Sequence, residues 1–405
     1  MLAASSQQQV VVPLAKPKRI TEIDILRGLV MIIMALDHTR DFFHETAFTS
    51  DPLDLQTTSP FLFFTRWITH FCAPVFVFLS GTSVFLQSMR KSRKELSGFL
   101  LKRGAWLIFV DLVIMSLIIT FDIHYSLLVL QVIWAIGISM IILALVVYLP
   151  FPAILVIGIV IVAAHNSLDF WEANNPGPYS VWYSLVHSQG FIPLDQKHTL
   201  AVLYPFLPWT GLMLLGYCFG KLFQMPIAVS QRNMVILSTG IFLIVLFIAV
   251  RFTNIYGDPA PWSIQNSFSY SLMSFLNTTK YPPSLMYICM TIGPALLLLV
   301  LLGKMNNAVT RVIHVFGTVP FFYYLLHFFL IHLVCAILFL ARGHTISEGL
   351  NGVGNFPFKF VIPGEGYSLG IVYLLWMLIV ISLYPLCKWY QTYKSTHRHW
   401  WLSYI

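Results

Sequence analysis

Charge is what this 405-residue chain has least of: Asp, Glu, Lys and Arg make up only 10% of it, and 16 residues are acidic. Soluble domains run to about 25% charged, so an ordinary water-facing globular surface is excluded. Cysteine is scarce as well. Cys72, Cys218, Cys289, Cys335 and Cys387 all fall in or at the end of apolar runs, which argues against an extracellular disulfide framework. Ahead of Lys16 stands only the patch VVVPLA, too brief for a signal-peptide core, so the first long apolar run is expected to direct its own insertion. No segment suits a soluble domain, and no inverted internal repeat of the transporter kind is visible.

Long apolar runs are what the chain has instead. Hydrophobic residues make up 58%, and windows of about 20 residues place spans near 22–43, 61–87, 98–121, 127–149, 151–166, 201–223, 233–252, 283–303, 312–341 and 368–389. The expectation is an all-α polytopic membrane protein of about ten transmembrane helices, with a tail at 1–20, a membrane domain at 21–390 and a second tail at 391–405. Arg90, Lys91, Arg93, Lys94, Lys102 and Arg103 gather on one side, whereas Arg66, Lys197 and Lys280 are spread thinly on the other. Positive charge flanking short loops stays inside, so both termini are expected to be cytoplasmic, in the inner (cytoplasmic) membrane. The net charge of +8 then reads as topology, and no nucleic-acid partner is expected. Three loops near 167–200, 253–282 and 342–367 are long enough to cap a site on the outer side.

The costly charges sit in the first span, IDILRGLVMIIMALDHTRDFFH, which carries Asp24, Arg27, Asp37, His38, Arg40, Asp41 and His44. An ionisable group near the bilayer centre costs roughly 2.5–3.5 kcal/mol on insertion scales, so such a group marks a site unless a partner explains it. Thr21 and Asp24 fit a helix-capping pattern, and Arg27 stands at pairing distance from Asp24 or within reach of a phosphate-bearing ligand. Eleven residues on from Arg27, about 16 Å of rise and close to three turns, His38 projects from the same helix face. Asp41 follows at i+3 and His44 three further on; a carboxylate beside an imidazole fixes its tautomer and suits it to general-base work. The plain alternative is a charged helix end at the interface.

Other spans add single groups. Arg66 and His70 stand at i,i+4 on the second span, Arg66 placed to pair with Asp37 or Asp41 across the helix interface. Lys102 and Arg103 end the third span, either as ordinary positive-inside residues or as a phosphate clamp. Gly216 and Gly220 are spaced for close helix packing. His327 and His332, at i,i+5, are poorly spaced for one metal ion, and no metal site is expected.

The segments RITEIDILRGLVMIIMALDHTRDFF, ITHFCAPVFVFLSG, YPFLPWTGLMLLGYCFG and FGTVPFFYYLLHFFLIH resemble the membrane family named after the heparan-alpha-glucosaminide N-acetyltransferase catalytic domain. More loosely, they resemble the wider superfamily of transmembrane acyltransferases, in which an Arg, ten residues and a His share the first helix. Arg27 and His38 match that spacing. The resemblance implies acyl-CoA, acetyl-CoA first, bound from the cytoplasm and acyl transfer to an amine or hydroxyl of an outer, glycan or other small-molecule acceptor. It also leaves room for a homodimer.

On this reading His38, oriented by Asp37 or Asp41, takes the acceptor proton, with His44 as the alternative base, and His70 and His327 line the same cavity. Arg27, with Arg103 or Lys102, holds the coenzyme phosphates. Two rival classes remain at this point: a proton-coupled transporter or exporter, since Asp and His also serve proton relays, and an assembly protein whose charges only join helices.

Overall fold

The computed structural model describes residues 20–224, 227–352 and 356–404, so all but Ile20 of the expected 1–20 tail lies outside the described residues. Among the described residues, eight helical segments are long and apolar enough to cross a membrane. α1 (Thr21–Phe43) is followed by α2 (Pro60–Thr69) and α3 (Cys72–Ser88), which form one broken span. α4 (Arg93–Phe109) passes through a π-helical stretch, Val110–Met115, into α5 (Ser116–Thr120), and α6 (Val132–Val146) and α7 (Phe151–Ala164) follow. Then come α8 (Ser167–Asn174), α9 (Val181–Val186), α10 (Phe206–Phe219), α11 (Val229–Thr253), α12 (Phe268–Leu276) and α13 (Leu285–Leu302). The chain ends with α14 (Ala308–Thr318), α15 (Pro320–Ala341), α16 (Ile346–Asn351) and α17 (Leu369–Thr396).

Three expectations need correction. The runs read as helix from 127 and from 201 begin as strands: β1 (Leu127–Leu130) pairs in parallel with β3 (Thr199–Val202), and β3 pairs antiparallel with β2 (Gly190–Pro193). Short apolar runs of this length are ambiguous between strand and helix, and here the sheet floors a cavity. The 312–341 run is two helices, because Pro320 drives Val319 out of the helical region (φ −130°, ψ 48°). Asp24 does not cap α1, whose N-cap is Ile20 without a side-chain bond; it pairs with Arg27 instead.

Proline also explains the break between α2 and α3. Pro74 lacks the N–H that would bond the carbonyl four residues back, that of His70, and its ring crowds that group. The orphaned His70 carbonyl is taken by the Tyr287 hydroxyl of α13 at 2.7 Å. Elsewhere helices close by contact of small residues. A Cβ at Gly216 of α10 would fall 2.0 Å from the Phe78 carbonyl oxygen of α3, and one at Gly28 of α1 would fall 2.1 Å from that of Ile313 in α14. On the face where α1 ends, buried Arg251 donates to the carbonyls of Ala260, Ser274, Phe275 and Asn277, gathering that loop into a cap.

Candidate active site

The last turns of α1 present Asp37, His38 and Asp41 to a cavity of about 760 Å³, whose wall also takes in Arg66, Gln131, Lys280, Tyr281 and Tyr324. Its floor follows strand periodicity: Leu127 and Val129 of β1, Thr199 and Ala201 of β3, each two residues apart and on one face. Arg40 donates to Asp37 Oδ1 at 3.0 Å and to Asp41 Oδ1 at 2.6 Å, while Arg66 donates to Asp37 Oδ2. Both Asp37 oxygens are therefore held by guanidinium groups. Asp41 keeps Oδ2 for His38, whose Nδ1 lies 3.7 Å away. That is longer than a hydrogen bond, as catalytic contacts often are before substrate binds.

His38 packs against Phe328, ring centroids 4.0 Å apart, and beside His327 at 5.5 Å. His327, expected in the cavity wall, is fully buried behind it instead: the wall takes in its neighbours Tyr324 and Phe328 but not His327 itself. Its Nδ1 lies 3.0 Å from the Tyr323 carbonyl, which only accepts, so Nδ1 carries the proton and Nε2 holds a lone pair that no protein atom satisfies. His70 is also fully buried, neither ring nitrogen has a hydrogen-bond partner among the described residues, and it is absent from the cavity wall; its ring rests on Tyr287 at 5.3 Å. His44 stands apart. Its Nδ1 accepts from the Thr46 N–H at 3.2 Å, and burial holds its pKa below the ordinary histidine value.

Lys280 and Tyr281, at the mouth of α13, were legible in sequence only as flanking residues. The Lys280 ammonium sits 5.0 Å from the Tyr281 ring centroid, and Lys280 makes no salt bridge among the described residues. Burial raises the Tyr281 phenol pKa, but the Lys280 and Arg66 cations outweigh it and bring the group below the ordinary tyrosine value.

A second cavity, of about 440 Å³, opens where α1 begins. Arg27 and Arg103 line it, together with Ser80, Ser83, Gln87, Lys91 and Lys394; Lys102 is exposed and is not in its wall. Arg27 spans α1 and α3, donating to Asp24 Oδ1 at 2.9 Å and to Ser83 Oγ at 2.8 Å. Its wall combines these cationic groups with apolar Ile133, Ile136 and Met140, a lining that suits an anionic head on an apolar stem. The first span's two ends, Arg27 and His38, thus open into different cavities.

Asp111, mid-span by sequence, is spent on structure. Its Oδ2 accepts from the N–H groups of Gln131 at 2.7 Å and Trp134 at 3.0 Å, capping α6 from a neighbouring helix. No metal site was expected, yet Asp169, Glu172 and His187 bring ligand atoms within 4.8 Å of one another. His187 Nδ1 is bonded there to Glu172 Oε1 at 2.8 Å, a pairing complete in itself.

Long apolar helices, charges paired among them and a cavity bearing His38 define a multi-pass membrane protein. Residues 19–256 match the family described as heparan-alpha-glucosaminide N-acetyltransferase, catalytic, and the chain belongs to that family. Membership implies acyltransferase activity in general. No curated protein matches the chain.

Proposed function

We propose that the protein moves an acyl group, with acetyl as the first candidate, from acyl-CoA bound at the Arg27 cavity to an amine or hydroxyl of an acceptor in the His38 chamber. Both termini face the cytoplasm on this reading, α1 and the short α6 cross the membrane with the eight segments named above, and the membrane is the cytoplasmic one. The observation that carries the reading is the placement of Arg27 and His38 on one face of α1, each in the wall of its own cavity.

In the reaction, His38 Nε2 removes the acceptor proton as the acceptor attacks the thioester carbonyl. The tetrahedral intermediate collapses, the C–S bond breaks, and the coenzyme thiolate leaves and is protonated. Asp41, through its free Oδ2, holds His38 with Nδ1 protonated, so that Nε2 is the basic nitrogen. Asp37 serves by fixing Arg40 and Arg66. Lys280 faces the oxygen on which charge develops. His327 supports the ring of His38, and His44 and His70 stay outside the proton path.

The test is transfer of label from acetyl-CoA by purified protein, with an amino sugar as the first acceptor offered. His38→Ala should cut turnover by about 10² to 10⁴-fold, the usual worth of a positioned base, with the folded fraction unchanged. Unaltered turnover in that variant removes His38 from the reaction. Solute flux in proteoliposomes without any acyl transfer would instead favour a transporter.

A further inference from the structure

The two cavities share one residue. Phe76 of α3 appears in the wall of the chamber that holds His38 and in the wall of the cavity that holds Arg27. The same three helices continue from one cavity into the other. On α1 the track runs from Arg27 through Val30, Met31 and Met34 to His38; on α6 it runs from Met140 through Ile136 and Ile133 to Val132. On α3 it runs from Gln87 through Ser83 and Ser80 to Phe76, and on to Ala73. The flanking residues on α3 are small: Ala73 stands three positions before Phe76 and Ser80 four after, the spacings that share a helix face. Phe76 itself is only partly buried. One aromatic ring, flanked on its helix face by small residues, is thus common to the walls of two cavities that stand toward opposite ends of α1.

We infer that Phe76 is a movable partition: it seals the chamber from the opposite cavity when no donor is bound, and the thiol arm of the acyl donor displaces it to reach His38. The sealing half stands on the cavities alone. The threading half rests on the acyl-transfer reading above. A continuous wetted route between the two mouths would let protons and small ions run down their gradients, and an apolar constriction stops them by excluding water. Phe76 is then a positioning residue and sets what fits through the throat.

The experiment uses full-length protein reconstituted in phosphatidylethanolamine–phosphatidylglycerol vesicles with a trapped pH-sensitive dye. After an external pH jump and without any acyl donor, Phe76→Ala should dissipate the gradient several-fold faster than the wild type, and Phe76→Leu, which keeps an apolar plug, should stay tight. Phe76→Val gives the same reading should the alanine variant not be recovered folded. Equal leak rates in the wild type and the truncated variants overturn the partition. In acyl-transfer assays Phe76→Trp should raise KM for the donor about tenfold, the scale set by overfilling a packed apolar site, and leave KM for the acceptor alone. An unchanged donor KM overturns the threading half. Because the leak assay contains no donor, it is read even when the wild type transfers no acyl group, so failure of the seal and failure of the acyltransferase reading are told apart.

Discussion

At the scale of single residues, the two aspartates near His38 look equivalent in sequence and differ in what they hold. Asp37 is buried between Arg40 and Arg66, and removing one member of such a cluster leaves uncompensated charge. Breaking a buried pair typically costs 3–5 kcal/mol, so Asp37→Ala should lower thermal stability and yield sharply. Asp41 has a side chain 37% exposed, with one oxygen left for His38. Asp41→Asn should therefore keep its melting temperature and lose turnover about tenfold or more, as expected when a base loses the group that orients it. Melting curves and kcat measured on the same preparations decide between these two outcomes. Asp111 shows the other use of an intramembrane carboxylate: its Oδ2 caps α6, and only the position of α6 beside it reveals that.

At the scale of helices, the broken span α2–α3 makes the chamber, because the break at His70 and Phe71 turns Thr69, Cys72 and Ala73 into wall. The cause is legible once Pro74 is read as a missing donor to the His70 carbonyl; the replacement donor, Tyr287, lies 217 residues away. Tyr287→Phe should cost about 1 kcal/mol, the usual net worth of one hydrogen bond. It should cost less in a Pro74→Ala background, where a backbone N–H is restored, and a double-mutant cycle of unfolding free energies measures the difference. Gly216 was readable as a packing residue from its spacing to Gly220. The structure gives the reason, since the α3 backbone passes within 2.0 Å of where its Cβ would stand. Gly216→Val should abolish recovery of folded protein, checked by monodispersity in size exclusion, whereas Gly98→Val, where a Cβ would meet nothing within 4 Å, should not.

At the scale of the whole molecule, the Arg27 and His38 cavities stand toward opposite ends of α1, so on the proposed reading donor binding at one is separable from chemistry at the other. Acetyl-CoA or coenzyme A at about 100 times its Kd should stabilise the fold by about 2.7 kcal/mol, because it binds only the folded state. The shift in melting temperature should disappear in Arg103→Ala and persist in His38→Ala. Loss of the shift in both variants would argue against two separate sites.

The sequence by itself determined the membrane class, most of the spans and the separation of Arg27 from His38, because hydropathy and a 3.6-residue period are local properties. It also carried the family resemblance, which the match over residues 19–256 shows to be membership. Tertiary structure alone decided which charges are spent on pairing and which line a cavity. It moved His44, His70, His327 and Lys102 out of the two cavity walls and brought Lys280, Tyr281 and Gln131 into them. The physical reason is that a side chain's role depends on the neighbours that satisfy it, and here those neighbours come from helices far apart in the chain.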